Sequence, residues 1–370
     1  MTRPTHVVLA AGGTAGHIEP ALNLADALSA LEPDIQITVI GGEHGLESIL
    51  VPARGYELRS VPAVAMPRKL SRDLFSVGSK VRRATKQSKQ ILQAVDADVV
   101  VGFGGYAALP AYLATRKISC GLVIHEANAK AGLANKVAAR FADQVFVSVP
   151  GSLPGTILGL PLRASIAELD RGALRRQARE FFGLRLDAPV LLVFGGSQGA
   201  QHINEVIAQS LPALLELGIQ VLHGYGPKNQ APGELQGYVA VSYLDRMDLA
   251  YAAADLGLTR AGAMTVAEVS AVGLPTIFVP LPIGNGEQKI NALKMVHAGG
   301  AVVIDNDALT AEWLTQTVGS LVKDSVRLEA MGQAAAQTGV QDSGLQLAQE
   351  VLRIARHYRA LKSHDERDNS

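Results

Sequence analysis

A glycine-rich turn occurs twice in the chain, each time between an apolar run and a helical pattern. Residues 6–11 lead into the sequence GGTAG at 12–16, and residues 190–194 lead into GGSQG at 195–199, 183 positions later. Glycines at such a turn let the backbone approach a ligand closely, and the following helix offers free N–H groups to an anion. The repeat predicts two Rossmann-like domains in tandem, each with a candidate diphosphate site.

The remaining chain alternates strand and helix patterns, which favours parallel sheets with crossover helices. Predicted strands lie at 6–11, 35–40, 98–102, 121–125, 144–147, 190–194, 220–224, 256–259 and 275–279. Predicted helices lie at 20–31, 133–141, 168–182, 201–216, 249–254, 266–271, 312–336 and 345–362. Glycine and proline at 156–162 indicate a linker. We therefore assign 1–163 to an N-terminal domain and 164–342 to a C-terminal domain, with the last helix, 343–370, returning to the first.

The composition narrows the class of protein. Of 370 residues, 48% are hydrophobic and 18% charged, a globular profile that excludes a disordered or collagen-like chain. A single cysteine excludes a disulfide framework and a thiolate metal cluster. The sequence has no secretory signal pattern and no apolar run of the roughly 20 residues that span a bilayer. We expect a cytoplasmic protein.

The net charge of zero hides an asymmetry. Residues 1–165 contain 17 Lys and Arg against 12 Asp and Glu, and 166–370 contain 17 against 22. Eight of the basic residues fall between Arg68 and Lys89 with apolar residues at helical spacing. Such a basic amphipathic helix indicates a membrane surface, and an ordinary surface helix packed on the core is the alternative. Few aromatics accompany it, so nucleic-acid binding is not favoured.

Polar side chains follow several first-half strands. His17 comes directly after the first glycine-rich turn, where a neutral imidazole at a helix N-terminus is a candidate general base. Glu126 ends another strand and could orient that base, act as one, or cap the next helix. A third strand ends at Gly104-Gly105-Tyr106, and Tyr106 could contact a sugar. Carboxyl ends of parallel strands share one edge of the sheet, so these residues predict a ligand site there.

The second half offers a further phosphate and sugar site. Residues 259–268 run from a strand through small residues into a helix. Glu268, one turn into that helix, could accept hydrogen bonds from ribose hydroxyls. The alternative is that its charge only interacts favourably with the helix dipole. Gln288 and Asn291 carry amides suited to sugar hydroxyls. The Asp-Asn-Asp sequence at 305–307 matches a metal-binding DxD pattern, but its position favours a turn and helix cap.

Taken together, these blocks resemble glycosyltransferase family 28, the peripheral membrane N-acetylglucosaminyltransferases of bacterial peptidoglycan synthesis. The similarity runs from near residue 8 to about residue 355. It implies a GT-B fold, α/β, with two doubly wound Rossmann-like domains facing a central cleft. It implies inverting transfer of GlcNAc from UDP-GlcNAc to the C4 hydroxyl of MurNAc in lipid I, giving lipid II. No metal or other cofactor is expected.

The resemblance also implies roles for individual residues. His17 and Glu126 are the catalytic candidates. The implied donor-binding residues are Thr14, Ala15, Gly16, Asn128, Arg163, Ser197, Leu244, Ala263, Met264, Thr265, Val266, Ala267, Glu268, Gln288 and Asn291. Gly104, Gly105 and Tyr106 lie on the acceptor side, and the implied membrane contacts are Leu70, Leu74, Phe75, Val77, Arg82 and Arg83. The expected partners are an anionic membrane at the cytoplasmic face of the inner membrane and the division and elongation machinery.

Four residues depart from the family pattern, namely Ala15, Ala127, Leu160 and Ala261, where the family has glycine, glutamine, asparagine and serine. Three other functions remain open on the residues alone. A GT-B transferase with another glycolipid or natural-product acceptor would ignore lipid I analogues. A sugar-nucleotide-binding scaffold would bind the donor without turnover, and an NAD-dependent dehydrogenase would bind NADH.

Overall fold

The computed structural model describes residues 3–43, 45–62, 74–105, 107–230, 233–282 and 286–368, with backbone only at 74–77 and 365–368. The chain divides into two compact units. Unit 1 comprises Met1–Leu162 and Asp342–Ser370, and unit 2 comprises Arg163–Gln341.

Unit 1 is built on a seven-stranded sheet. Its strands are β1 (His6–Ala11), β2 (Gln36–Gly42), β3 (Glu57–Val61), β4 (Val99–Gly104), β5 (Gly121–Glu126), β6 (Gln144–Val147) and β7 (Thr156–Ile157). They lie in the order β3-β2-β1-β4-β5-β6-β7, and all pairs are parallel. The strand order therefore reverses between β1 and β4, which is where open α/β sheets bind ligands.

Helices cover both faces of this sheet. They include α1 (Ala15–Leu31), α2 (Glu47–Ala53), α3 (Leu74–Ala94), α4 (Ala108–Thr115) and α5 (Leu133–Ala138). Side chains alternate along a strand, so β1 contributes to two cores. Val7 and Leu9 pack with α1, whereas Val8 and Ala10 pack with α4. Burial on both faces explains why the central strands are continuous apolar runs.

Unit 2 repeats the architecture with six parallel strands. They are β8 (Val190–Phe194), β9 (Gln220–Gly224), β10 (Tyr238–Val241), β11 (Leu256–Thr259), β12 (Thr276–Phe278) and β13 (Ala301–Val303), in the order β10-β9-β8-β11-β12-β13. Its helices are α6 (Ala164–Ala167), α7 (Arg171–Phe181), α8 (Gln201–Glu216), α9 (Met247–Ala253), α10 (Ala263–Ala271), α11 (Glu287–His297), α12 (Ala311–Lys323) and α13 (Ser325–Ala336). Here the order reverses between β8 and β11.

The final helix, α14 (Ser343–Asp368), belongs to unit 1. It fixes the amino-terminal edge of the first sheet through polar side chains. Lys362 Nζ donates to the Ala97 carbonyl at 2.7 Å, and the Tyr358 hydroxyl donates to Asp143 Oδ1 at 2.9 Å. Leu347 and Val351 of the same helix are fully buried in the core that contains α1. The end of the chain thus completes unit 1.

The predicted fold class, two doubly wound parallel-sheet domains, is confirmed. The sequence prediction lacked β3, β7, β10 and β13, which are edge or short strands, and the helices α2, α4, α6 and α11. A single helix predicted at 312–336 was wrong, because Asp324 interrupts it with non-helical angles (φ −101°, ψ 81°) and accepts from the Arg327 amide to start α13. The polar helix predicted from 168 begins at Arg171, where Asp170 provides the N-cap.

Candidate active-site residues in the two units

In unit 1, turn 1 (residues 12–16) follows β1 and lies beside the end of β4, at the strand-order reversal. The two strand ends are in close contact. A Cβ built on Gly105 would lie 2.1 Å from the Gly12 carbonyl oxygen, and one on Gly104 would touch the His17 ring. Both Gly104 and Gly105 have positive φ, which favours glycine, and at Gly105 a side chain would also collide with the Gly12 carbonyl. The predicted catalytic histidine and the predicted acceptor-side glycines are thus neighbours.

His17 is the third residue of α1, and its ring has polar neighbours. Nδ1 is 3.2 Å from Thr14 Oγ1, and the Gly12 backbone is a second polar group that acts on the ring. A threonine hydroxyl can donate to Nδ1, and in that tautomer the ring proton is on Nε2.

The environment favours a neutral His17. Burial lowers the pKa of His17, while the charge of Glu126 and the hydrogen bond to Gly12 oppose that shift. A base with a pKa below its ordinary value of about 6.5 is unprotonated at neutral pH and ready to accept a proton.

Glu126, only 3% exposed, is occupied by the loop that follows it. Its carboxylate accepts hydrogen bonds from the Asn128 amide (2.9 Å), the Gly132 amide (3.1 Å) and Asn135 Nδ2 (2.9 Å). Asn135 in turn accepts from the buried Tyr112 hydroxyl, which accepts from the Gly104 amide. Glu126 therefore orders the segment after β5 and couples it to the glycine turn after β4, and its charge acts on His17 through space.

Turn 1 has a feature that the sequence prediction missed, a carboxylate beneath it. Glu47 opens α2, is 2% exposed, and accepts from the amides of Gly13 (3.2 Å) and Gly42 (2.7 Å). Glu43, the first acidic residue after β2, is exposed. The sequence signal that could have identified Glu47 is an acidic residue one turn beyond the second predicted strand.

In unit 2, a cavity of about 570 Å³ lies at the corresponding reversal, where turn 2 (residues 195–199) follows β8 and residues 260–265 follow β11. Its volume suits a small-molecule ligand. Of the predicted donor residues, Thr265 and Gln288 line it. Residues outside the predicted set also line it, including Arg260, His202, Glu205 and Asn306.

Two groups in the lining of this cavity lack partners among the described residues. Arg260 is 9% exposed and donates from Nη1 to the Val279 and Pro280 carbonyls, but its Nε is buried without a partner. Asn306 Oδ1 is likewise unpaired. An unpaired buried donor is costly, so these atoms are suited to a ligand that supplies an acceptor and a hydroxyl. The starts of α8 and α10, at Ala200 and Gly262, also lack side-chain caps, which leaves N–H groups free.

Turn 2 is supported from behind by neutral groups. A Cβ on Gly199 would meet the Tyr225 carbonyl oxygen at 2.2 Å, and Asn229 Nδ2 donates to the carbonyls of Gln198 (3.1 Å) and Tyr225 (3.0 Å). Asn204 Nδ2 donates to the Tyr225 carbonyl as well, and its oxygen accepts from His223 Nε2.

Other predicted donor residues lie close to this cavity without lining it. Glu268 accepts from the buried Tyr251 hydroxyl at 2.8 Å. Burial and the charge of Glu268 raise the pKa of Tyr251, and the charge of Arg163 opposes this shift, so Arg163 acts on the same pair. Asn291 Nδ2 donates to the Ala261 carbonyl at 3.3 Å and thereby ties α11 to the loop after β11. Ala263, Met264, Val266 and Ala267 form the first turns of α10, and Ser197 lies within turn 2.

Several predicted residues fall elsewhere. Leu244 is buried against Gly224 and lines a separate 330 Å³ groove with Phe181 and Phe182. Tyr106 and Leu70 lie outside the described residues, and Leu74, Phe75 and Val77 are described only as backbone of α3. Arg82 and Arg83 are exposed on α3, and Thr14 and Gly16 are exposed in turn 1, with Ala15 and Asn128 half-buried.

The Asp-Asn-Asp sequence forms a 3₁₀ turn at Asn306–Ala308, and Asp305 pairs with Lys289 at 2.9 Å, so the predicted turn is present, although Thr310 and not an aspartate caps α12. Within the described ranges, no three His, Cys, Asp or Glu side chains come together as a metal site. A larger cavity of about 660 Å³ at the opposite sheet edge of unit 2 contains three arginines, of which Arg171 and Arg179 are satisfied by carbonyls and Asp255.

The fold and these sites define a nucleotide-binding α/β protein with two Rossmann-like units, and comparison with known proteins places it more narrowly. Residues 7–147 match the glycosyltransferase family 28 N-terminal domain, and 190–347 match the family 28 C-terminal domain. The chain belongs to glycosyltransferase family 28.

Two relatives that match almost the whole chain have the same protein name. The UDP-N-acetylglucosamine–N-acetylmuramyl-(pentapeptide) pyrophosphoryl-undecaprenol N-acetylglucosamine transferase of Mycolicibacterium vanbaalenii is 55% identical, over 96% of this chain and 92% of the relative. The transferase of that name from Streptomyces coelicolor is 56% identical, over 91% and 95%. The crystal structure of Acinetobacter baumannii MurG is 29% identical, with a TM-score of 0.75 over 95% of this chain and all of that one.

Proposed function

We propose that this protein transfers GlcNAc from UDP-GlcNAc to the C4 hydroxyl of MurNAc in undecaprenyl-diphospho-MurNAc-pentapeptide, with inversion at the anomeric carbon. The observation that carries the proposal is the full-length similarity to transferases named for this reaction. The chemistry of the two units supports it, since unit 2 has a cavity suited to a sugar nucleotide and unit 1 has a candidate base.

The donor fits the polar groups of unit 2. Its diphosphate is acceptor-rich and anionic, as required by the buried Arg260 guanidinium and by the uncapped starts of α8 and α10. The sugar hydroxyls both donate and accept, which matches Gln288 and Asn306 in the cavity lining. Glu268, held by Tyr251, is the proposed acceptor for the ribose hydroxyls.

The proposed chemical step is a single displacement. As the C4 oxygen attacks the anomeric carbon, its proton passes to His17 Nδ1, and the bond from that carbon to the UDP oxygen breaks with its electron pair remaining on UDP. The negative charge that develops on UDP is stabilised by Arg260 and the two helix starts. Glu126 remains hydrogen-bonded to its loop and contributes its charge, so we assign the base role to His17.

We propose that the reaction needs no metal, because a buried guanidinium and helix N-termini provide the positive charge that a cation would otherwise supply. The test incubates purified protein with labelled UDP-sugars and a lipid I analogue in EDTA. Product from UDP-GlcNAc at an undiminished rate is expected. Activity that requires added Mg²⁺ would contradict metal independence alone, whereas donor binding without product from the lipid I analogue would contradict the acceptor.

We further propose that α3 docks the protein on the cytoplasmic face of the bacterial inner membrane. Ala84 and Leu92 are buried on one face of the helix, while Lys80, Arg82 and Arg83 are exposed. Each such cation contributes about 1 kcal/mol to the free energy of binding to an anionic leaflet. No helix in the described part of the chain has the length and apolarity to span a bilayer. The division and elongation machinery stays a predicted partner.

Vesicle sedimentation tests this docking. Binding should require anionic lipid, fall as salt rises, and be lost in the double variant Arg82→Glu, Arg83→Glu. The double variant Arg176→Glu, Lys323→Glu changes the same charge on exposed residues of unit 2 and is the matched control. Equal loss of binding in both double variants would show a general charge effect and contradict docking through α3.

A further inference from the structure

Glu47 is a buried carboxylate enclosed by glycines. A Cβ on Gly12 would lie 2.9 Å from Glu47 Oε1, one on Gly41 would lie 2.7 Å from its Cγ, and one on Gly45 would overlap its carboxylate. Three glycines, one in turn 1, one in β2 and one in the loop after β2, therefore make room for this one side chain. The sequence pattern explains glycine at position 12 by the close approach of a phosphate. The room that the Glu47 side chain needs is a second physical reason for glycine there.

The carboxylate of Glu47 is satisfied by the backbone. It accepts from the Gly42 amide at 2.7 Å and from the Gly13 amide at 3.2 Å, and it lies in the first turn of α2, where the helix dipole favours an acid. No salt bridge to it is found in the described ranges. Because the Gly13 N–H is engaged and a negative charge lies behind it, this amide is not available to a phosphate.

Turn 1 joins Glu47 to His17. The Gly13 amide donates to Glu47 at 3.2 Å, and the hydroxyl of the next residue, Thr14, lies 3.2 Å from His17 Nδ1. Because each peptide unit is planar, fixing the Gly13 amide also fixes the direction in which the chain continues into Thr14.

We propose that Glu47 is a positioning residue for His17, acting through turn 1. Glu47 holds the Gly13 amide and thereby the adjacent Thr14 hydroxyl that faces His17 Nδ1. It touches no substrate. This inference rests on the proposed role of His17 as the base.

The test is a double-mutant cycle between Glu47→Gln and His17→Ala, assayed with UDP-GlcNAc and a lipid I analogue. Glutamine keeps the volume but presents an NH₂ to one of the two amides, so the peptide turns. We expect kcat to fall about 10- to 100-fold, as for a small misplacement of a catalytic group, with the KM for UDP-GlcNAc unchanged. In the His17→Ala background the same substitution should cost nothing further, because the group it positions is absent.

Asp98→Asn is the matched control. Asp98 is a fully buried carboxylate of the same unit that accepts from the His6 amide at 3.0 Å, but at the opposite edge of the sheet. The substitution Asp98→Asn should reduce thermal stability and leave kcat unchanged. If Glu47→Gln does not fold at the assay temperature, Glu47→Asp, which keeps the charge but shortens its reach, is judged by the same cycle.

The outcomes separate the two hypotheses. Full turnover in His17→Ala would refute the proposed base and this inference with it. A slow His17→Ala together with a normal Glu47→Gln, or with losses that simply multiply in the double variant, would overturn the positioning role alone.

Discussion

Turn 1 and turn 2 have nearly the same sequence pattern, yet the buried charges near them are opposite. Turn 1 has the buried Glu47 carboxylate on its Gly13 amide, whereas turn 2 is supported by neutral amides and shares its cavity with the buried Arg260 guanidinium, the Glu205 carboxylate of that cavity being exposed. The buried charges therefore favour an anion more at the second turn than at the first. The comparison shows that a glycine-rich turn defines backbone shape, while residues from other strands decide which ligand charge it tolerates.

The strongest test of this difference is the loss of His17. His17→Ala should lower kcat by a factor on the order of 10²–10⁴, the usual contribution of a general base, and leave the Kd for UDP unchanged. Labelled-product assays and calorimetric titration with UDP measure the two quantities. His357→Ala, on the exposed side of α14, is the control. Weaker UDP binding in His17→Ala would mean that turn 1 also holds the nucleotide.

His223, which lies behind turn 2, makes the free energy of unfolding depend on pH. Burial lowers the pKa of His223 to about 4, so the folded state resists a proton that the unfolded chain accepts near pH 6.5. Keeping His223 neutral contributes at most about 3 kcal/mol to the free energy of unfolding. This contribution is fully present above pH 6.5 and is lost as the pH falls toward 4. The melting temperature of His223→Gln should change less over this pH range than that of the wild type. Identical pH dependence in both proteins would contradict the assignment.

Arg260 tests the charge of the second site. Arg260→Ala should raise the Kd for UDP about 10- to 100-fold, the value of a charge-assisted hydrogen bond. Arg246→Ala, which removes an exposed arginine paired with Asp248, should leave this Kd as it is. The measurement is again calorimetry. An unchanged Kd in Arg260→Ala would remove the guanidinium from the diphosphate site.

The smallest expected effect is in the pH profile. Because burial lowers the pKa of His17, the acid limb of kcat/KM should have its midpoint below pH 6.5, the ordinary value for histidine. Glu126 is the charged group that opposes this shift. A midpoint above 6.5 would mean that the carboxylate outweighs burial, and the environment of His17 would then need revision.

Much of the fold could be predicted from the sequence because its signals are local. The central strands are apolar on both faces, and β1, β6, β8, β9 and β11 begin and end where the pattern predicts. The missed strands all lie at or next to a sheet edge and lack a continuous buried run. The first four residues of β3 alternate between exposed and half-buried, and three of the four residues of β10 are only half-buried. The break at Asp324 was missed because its neighbours on both sides favour helix.

The site residues divide in the same way. His17, Gly104 and Gly105 follow predicted strands, so their proximity follows from the rule that parallel strands end at one edge. Glu47 and Arg260 lie in the same kinds of segment, but nothing local distinguishes a buried carboxylate or an unpaired guanidinium from a surface one.

By itself, the amino-acid sequence determined the two doubly wound units, the repeated turns and the family, because strand periodicity and glycine spacing act over a few residues. Only the tertiary structure decided which turn has a carboxylate behind it and which shares a cavity with a cation. Those charges come from residues that are distant along the chain, and their burial, which gives them their effect, exists only once the sheets have formed.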